Sequence, residues 1–320
     1  MKIFVAGATG VLGRVLVPQL VARGHEVVGM TRSASKQDLV RGLGARPALA
    51  DALDPDAVAR AVASAEPEVI VHELTALSGP MSLRDARHPD RSAAAAMTNR
   101  LRTEGTDHLL AAGRAVGARR FVAQSFAAFR FARTGGPVLT EADPLDPHPP
   151  APLRAALVGI LHLERAATAI EWGEGLVLRY GGFYGPGTAI SAAADAVMAA
   201  PIRKRRFPVI GAGGGVFSHV HIDDAATATA IAVERGRPGI YNVVDDDPAP
   251  VREWLPVLAS ALQAKPPRRI PRWLGRLAAG EMATVMMTEV RGASNAKAKR
   301  ELGWQLRYPS WRQGFAQGLG

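Results

Sequence analysis

The opening stretch "VAGATGVLGRVL" sets Gly7, Gly10 and Gly13 three residues apart, directly after an apolar run and at the start of a helical pattern. That spacing suits the binding of a diphosphate, and each glycine has its own reason. Gly7 permits the tight strand-to-helix turn, Gly10 lets the backbone approach the diphosphate, and Gly13 lets helix and strand pack closely. Thr9, Val11 and Leu12 fill the rest of the turn, and the helix N-terminus favours negative charge there. The end of the second apolar run is the next informative place, because an acidic residue there would take ribose hydroxyls. The chain instead has "MTRSASK": Thr31, Arg32 and Ser33, with Lys36 a turn further on. The planar fork of Arg32 suits a 2′-phosphate and Ser33 adds a hydrogen bond, so the expected cofactor is NADP rather than NAD. Asp51, with Ala52 in "LADALD", is placed either to hold the adenine amino group or to cap a helix.

These groups need a scaffold, and the apolar runs supply one. "KIFVA" (2–6), "HEVVGM" (25–30), "RPALA" (46–50), "PEVIVH" (67–72), "RRFVAQS" (119–125) and "GLVLRY" (175–180) read as strands. Helical patterns fall between them at about 11–23, 35–43, 55–65 and 91–117. Repeated strand–helix–strand units with short connections predict an α/β fold over 1–180, a doubly wound parallel sheet of the Rossmann kind. After Tyr180, Gly and Pro interrupt the chain at "GGFYGPG" and "IGAGGG", which predicts a smaller C-terminal substrate-binding lobe over 181–320. Within it, about 217–244 is expected to pack back on the first domain, ending in the strand-like "GIYNVV" (239–244).

The 320 residues include no cysteine, which excludes disulfides, thiolate catalysis and Cys-ligated metals; no metal is expected. No apolar run reaches the roughly 18 residues of a membrane span. "MKIFVAG" lacks the layout of a secretory signal, so a cytoplasmic location with no membrane partner is expected. The net charge of +10, from 39 basic and 29 acidic residues, reads mainly as a dispersed, solvated Arg surface. Its densest cluster, "RKRR" at 203–206, has no interleaved aromatics and predicts no nucleic-acid partner.

The GxxGxxG spacing resembles that of the short-chain dehydrogenase/reductase superfamily. Nearly the whole chain is similar to its extended branch, the NAD-dependent epimerases/dehydratases. "GATGVLG" resembles the branch's cofactor turn, "GARRFVAQS" its fifth strand, and "LRYGGFYGPG" its sixth strand with the Tyr-Gly-Pro that follows. "FSHVHIDDAATA" resembles its His-Val-Asp-Asp helix start and "SNAKAKRELGW" its Leu-Gly-Trp close. The resemblance implies that Leu74 and Thr75, with Glu73, line the cofactor's ribose, and that Gly182 and Phe183 border the carboxamide. It makes His72 structural, and it makes His219, His221, Asp223 and Asp224 a strand end running into a helix cap rather than a metal site. It also offers the helices at 91–117 and 152–171 as a homodimer contact.

In such relatives a Ser or Thr ends the fifth strand, and a Tyr-x-x-x-Lys pair sits on the next long helix. The Lys lowers the Tyr from its free pKa near ~10 so that it exchanges a proton near neutrality. Ser125 takes the Ser place, where it would orient a substrate oxygen. The helix "RAALVGILHLERAA" (154–167) has neither partner: aligned on Glu164, the Lys position is Ile160 and the Tyr position Ala156. The residues four after Tyr180, Tyr184, Tyr241 and Tyr308 are Tyr184, Thr188, Asp245 and Arg312, so no Tyr-x-x-x-Lys exists anywhere. Arg102 stands where relatives carry an Asn of the proton relay. Tyr184 is the remaining candidate proton donor, and His162 is expected at the surface or a subunit contact. Leu153, Leu157, Ile160, Leu161 and Thr168 read as the helix's buried stripe, with Leu163 and Ala167 on another side.

Three functions fit these residues. The first is an atypical NAD(P)-dependent oxidoreductase acting on a small organic carbonyl, enone or alcohol without the usual acid–base pair, since hydride transfer depends chiefly on cofactor positioning. The second is a non-redox isomerase, lyase or cyclase on the same fold. The third is an NADP-binding sensor or regulatory protein.

Overall fold

The computed structural model describes residues 1–77, 92–127 and 131–320. Seven strands form the central sheet: β1 (Lys2–Ala6), β2 (Glu26–Thr31), β3 (Arg46–Leu49), β4 (Val69–His72), β5 (Arg120–Phe126), β6 (Glu174–Tyr180) and β7 (Gly239–Val243). They lie in the order β7-β6-β5-β4-β1-β2-β3, and every pairing is parallel. Each expected strand is present, with ends shifted by two residues at most. Continuous apolar runs belong in such a sheet because both of its faces are covered.

The covering helices are α1 (Gly13–Ala22), α2 (Gln37–Gly42), α3 (Pro55–Ala65), α4 (Ala93–Arg102), α5 (Glu104–Ala115), α6 (Ala151–Thr168) and α7 (Ile222–Glu234). Alternate residues of the strands feed two cores. Ile3, Val5, Val71, Val122 and Leu178 pack with Leu16 and Leu20 of α1 and Ala226 and Val233 of α7. Phe4, Ala6, Ile70, Phe121 and Val177 pack with Val58 and Val62 of α3, Leu109 of α5 and Leu163 of α6. The strand order reverses between β1 and β4, and ligands of doubly wound sheets bind in the crevice at that point.

Two helical expectations change. The helix expected at 91–117 is two helices, broken at Thr103 (φ −101°, ψ −83°); its first residue, Arg91, lies outside the described residues. The buried face of α6 is Leu153, Leu157, Gly159, Ile160, Leu163, Glu164 and Ala167, while Leu161 is half-buried and Thr168 exposed. Steps of four and three from Leu153 through Glu164 to Ala167 hold one side of a helix, and Leu161 and Thr168 fall on its flank.

The rest of the chain forms short strand pairs and helices around a third core containing Ile202, Trp254, Leu258, Trp311 and Phe315. Gly182–Tyr184 pairs with His219–His221, and Val138–Leu139 pairs with Gly292–Ala293. Arg133 also bonds to Glu289, so material before residue 180 is built into this lobe. Helix α7 returns to the sheet against α1, where Thr227 Oγ1 donates to Gln19, and β7 joins the sheet edge beside β6. No described helix is long and apolar enough to cross a membrane.

Candidate active site

At the carboxyl ends of β1 to β4 a cleft of about 260 Å³ opens. Gly7 and Thr9 line it from the glycine turn, Thr31, Arg32 and Ser33 from β2, Asp51 and Ala52 after β3, and Leu74 and Thr75 after β4. The fold thus gathers nine of the expected cofactor residues from four segments. A larger depression of about 460 Å³, between α5 and the 169–172 turn, contains none of the expected site residues.

The glycine turn fits a dinucleotide. Gly7 has φ +104°, and a Cβ there would lie 2.7 Å from the Glu73 carbonyl oxygen. A Cβ on Gly13 would overlap the Gly7 carbonyl oxygen. Only glycine lets the chain turn this tightly and bring the positive N-terminal end of α1 to the cleft mouth. Gly10, Val11, Leu12 and Gly13 therefore shape the turn without lining the cleft itself. Gly182 and Phe183 also lie outside it, in the short strand after β6, where the Phe183 ring packs on Tyr180 at 5.3 Å between centroids.

The rim carries two cations, Arg32 and Lys36, and one exposed acid, Asp51. Arg32 and Lys36 are exposed at the cleft, and the acid nearest to them in the chain, Asp38, is taken by Arg41 at 2.6 Å. Thr31 Oγ1 accepts the Ser33 backbone N–H at 3.2 Å, which curls this loop over the opening. Asp51 closes a small turn by accepting the Leu53 N–H at 3.0 Å; the cap of α3 is Asp54, which accepts the Ala57 N–H at 3.0 Å. The capping alternative for Asp51 thus falls away.

The segment after β4 is held by His72. Thr106 Oγ1 gives its proton to the Arg102 carbonyl (2.8 Å) and so accepts from His72 Nε2 (3.0 Å), while His72 Nδ1 accepts the Leu74 N–H (3.3 Å). Complete burial pulls this imidazole down to about 4, so it is neutral in that role. Thr98 Oγ1 of α4 accepts the Ala76 N–H at 3.0 Å, fixing the far end of the segment.

Helix α6 lies over β5 and β6 without an acid–base pair: Ala156 is half-buried and Ile160 is 1% exposed. Glu164 is buried and takes Arg179 of β6 in a bidentate pair, Nε to Oε1 at 3.0 Å and Nη2 to Oε2 at 2.8 Å. Ser125, itself buried, donates to Glu164 Oε1 at 2.5 Å. A hydroxyl has one proton, and this one is held by a carboxylate. The expectation that Ser125 orients a substrate oxygen by donating to it is corrected accordingly. Arg102 packs beside Gly159 of α6, is drawn to the Glu164 charge, and is held down to about 10 by burial.

Tyr184 is likewise corrected as a proton donor. Its ring is fully buried between His219, His221 and Phe315, tight against Gly314. Burial and the nearby Asp245 and Asp224 raise its pKa, so it keeps its proton. His221 caps α7 by accepting the Asp223 N–H at 3.2 Å, and His162 bonds to Asp107 of α5 at 2.7 Å. Met97 and Leu101 of α4 also line the cleft; no sequence signal links them to it, because only the fold brings α4 over β4. Arg179 did carry a signal, since an arginine inside an apolar strand demands a buried acid.

Residues 3–243 match the NAD dependent epimerase/dehydratase family. The chain is 46% identical over 318 residues to the 3-diazoavenalumate denitrifying reductase of a Streptomyces sp., covering 99% of this chain and 100% of that protein. It is 29% identical over 271 residues to the 2-alkyl-3-oxoalkanoate reductase of Stenotrophomonas maltophilia (strain K279a), covering 82% and 76%. Among solved structures, the human epimerase family protein SDR39U1 with NADPH superposes with a TM-score of 0.75 at 22% identity, covering 100% and 99%. The UDP-glucose 4-epimerase of Thermus thermophilus in complex with NAD superposes at 0.70 with 23% identity, covering 100% and 98%. The extended short-chain dehydrogenase/reductase resemblance agrees with these matches. The chain belongs to the NAD dependent epimerase/dehydratase family.

Proposed function

We propose that this enzyme uses NADPH to replace the diazonium group of a small aromatic acid by hydrogen, releasing dinitrogen. One observation carries the reading. The helix that should present a proton donor presents Ala156 and Ile160, and the neighbouring Ser125 proton is committed to Glu164. Reducing a ketone requires a proton on the new alkoxide, and removing a general acid costs roughly 10²–10⁴-fold. A diazonium carbon makes no such demand: a nicotinamide held in the cleft would supply a hydride, whose electron pair would form the new C–H bond while the C–N pair left with N2. The diazo substrate in the name of the 46% identical relative supports the same class. The reductase names support redox turnover over the isomerase, lyase or cyclase reading and over a sensor.

The chain's own residues bind the cofactor. The glycine turn and the α1 N-terminus receive the diphosphate, Arg32 and Ser33 a 2′-phosphate with Lys36 behind them, and Asp51 the adenine amino group. Ala52, Leu74 and Thr75 shape the adenosine side, while Gly182 and Phe183 border the nicotinamide end.

Three outcomes are expected. With an aryl diazonium carboxylate, the purified enzyme should oxidise one NADPH per arene formed and per N2 released; arene formation with unchanged cofactor would contradict the reading. Arg32→Ala should lose most of the preference for NADPH over NADH in kcat/KM, and a preserved ratio would remove Arg32 from the 2′-phosphate site. Ser125→Ala should lower stability to urea by about 1–3 kcal/mol while changing kcat by less than roughly threefold. A fall in kcat of roughly 10²-fold or more would restore Ser125 to the reacting centre.

A further inference from the structure

Beneath the cofactor cleft, three side chains from separate elements make an unbroken line of contacts. Glu73 Oε1 lies 3.0 Å from Tyr180 Oη, Tyr180 Oη 2.7 Å from Thr229 Oγ1, and Thr229 Oγ1 2.7 Å from the Ala225 carbonyl oxygen. Glu73 is 6% exposed, Tyr180 1% and Thr229 0%, so water does not fill gaps in this line. Three contacts need three protons, and the two hydroxyls supply two. The terminal carbonyl only accepts, so Thr229 donates to Ala225 and Tyr180 donates to Thr229. For all three contacts to carry a proton, the third must sit on Glu73, which then donates to Tyr180 instead of accepting from it as an ionised carboxylate would. An ionised Glu73 would leave one of these short oxygen–oxygen contacts without a proton. The remaining oxygen, Glu73 Oε2, is buried with no hydrogen-bond partner among the described residues, in a side chain that borders the cleft.

We propose that Glu73 works as a neutral carboxylic acid that positions the cofactor, its open Oε2 accepting a hydrogen bond from a hydroxyl or amide N–H of the bound dinucleotide. The proposal rests on the nicotinamide reading of this cleft and is independent of the diazo substrate. Burial acts in the same direction, raising the carboxyl to about 8. Neutrality matters because a dinucleotide is a polyanion, and a carboxylate beside it at low dielectric would repel it.

The surroundings leave Glu73 as the group that titrates. From β6 it faces Tyr180, whose own pKa is raised by burial. Helix α7 presents Thr229 and turns its three acids elsewhere: Asp223 pairs with Arg307, Asp224 accepts the Arg307 and Tyr308 N–H groups, and Glu234 pairs with Arg23 and His25. The glycine turn offers the uncharged Thr9, and His72 is turned to Thr106. Arg32, Lys36 and Asp51 share the cleft.

The test compares wild type with Glu73→Gln, which keeps an N–H for Tyr180 and a carbonyl for the ligand but does not ionise. NADPH affinity is measured by fluorescence titration from about pH 7 to about pH 9. The wild-type Kd should rise about tenfold over that range as Glu73 ionises, and the Glu73→Gln Kd should stay nearly flat. Melting without cofactor gives a second readout. The folded carboxyl lies above its ordinary value of 4.5, so its contribution is full below that value and is lost as pH rises through about 8. The Tm of Glu73→Gln should therefore gain on wild type across that interval. Parallel Kd profiles for the two proteins, with binding intact, would overturn the role of Glu73 alone. Failure of wild type to bind NADPH at any pH would overturn the nicotinamide reading as well.

Discussion

The buried carboxylate of Glu164 ties α6 to β5 and β6, and the seating of that helix follows from it. An ion of this kind taken out of water costs several kcal/mol unless it is fully paired. Arg179 answers with both arms of its guanidinium, and Ser125 adds a short hydrogen bond. One helix and two strands meet through these three side chains, so α6 keeps one rotation and one height above the sheet. Gly159 then lets α4 approach closely, and Leu153, Leu157, Ile160 and Leu163 fill the space beneath. The same bonding that seats the helix takes Ser125 out of proton chemistry.

The cofactor cleft is built from the other side of the molecule and depends little on α6. Four segments from β1, β2, β3 and β4 converge where the strand order reverses, and backbone geometry dominates: the glycine turn, the Thr31–Ser33 curl and the His72–Leu74 bond. The loose cations Arg32 and Lys36 sit on the rim, whereas the acid within the wall, Glu73, is buried in a proton-sharing line. A rim with two cations to one acid, Asp51, suits a ligand that carries several negative charges and a polar ring system.

Much of this was legible in the residues. The inner strands are apolar runs bounded by turn residues, as parallel strands buried on both faces are, whereas the edge strand β3 leaves Arg46 and Leu49 exposed. The lining of the cleft was legible because the turn at Gly7 and the loop after Thr31 are local features of consecutive residues. The catalytic residues were not, for reasons of direction. Sequence places Ser125 at the end of β5 but does not say that its hydroxyl meets Glu164, 39 positions later. It places Tyr184 after β6 but not beneath Gly314, which reaches it from the far end of the chain. The break at Thr103 was hidden as well, because "NRLRTEGTDHLL" keeps helical spacing through it. The stripe on α6 was read one flank off because Leu161 is as apolar as Leu163, and only the sheet beneath decides between them.

The central claim is that reduction here proceeds with a hydride and no proton from the protein. It is tested most directly by following isotope into the product. Turnover of an aryl diazonium carboxylate with NADPH deuterated at the transferable position should place one deuterium on the carbon that carried nitrogen. Turnover with unlabelled NADPH in heavy water should place none there. Deuterium arriving from solvent, or failing to arrive from the cofactor, would contradict the account.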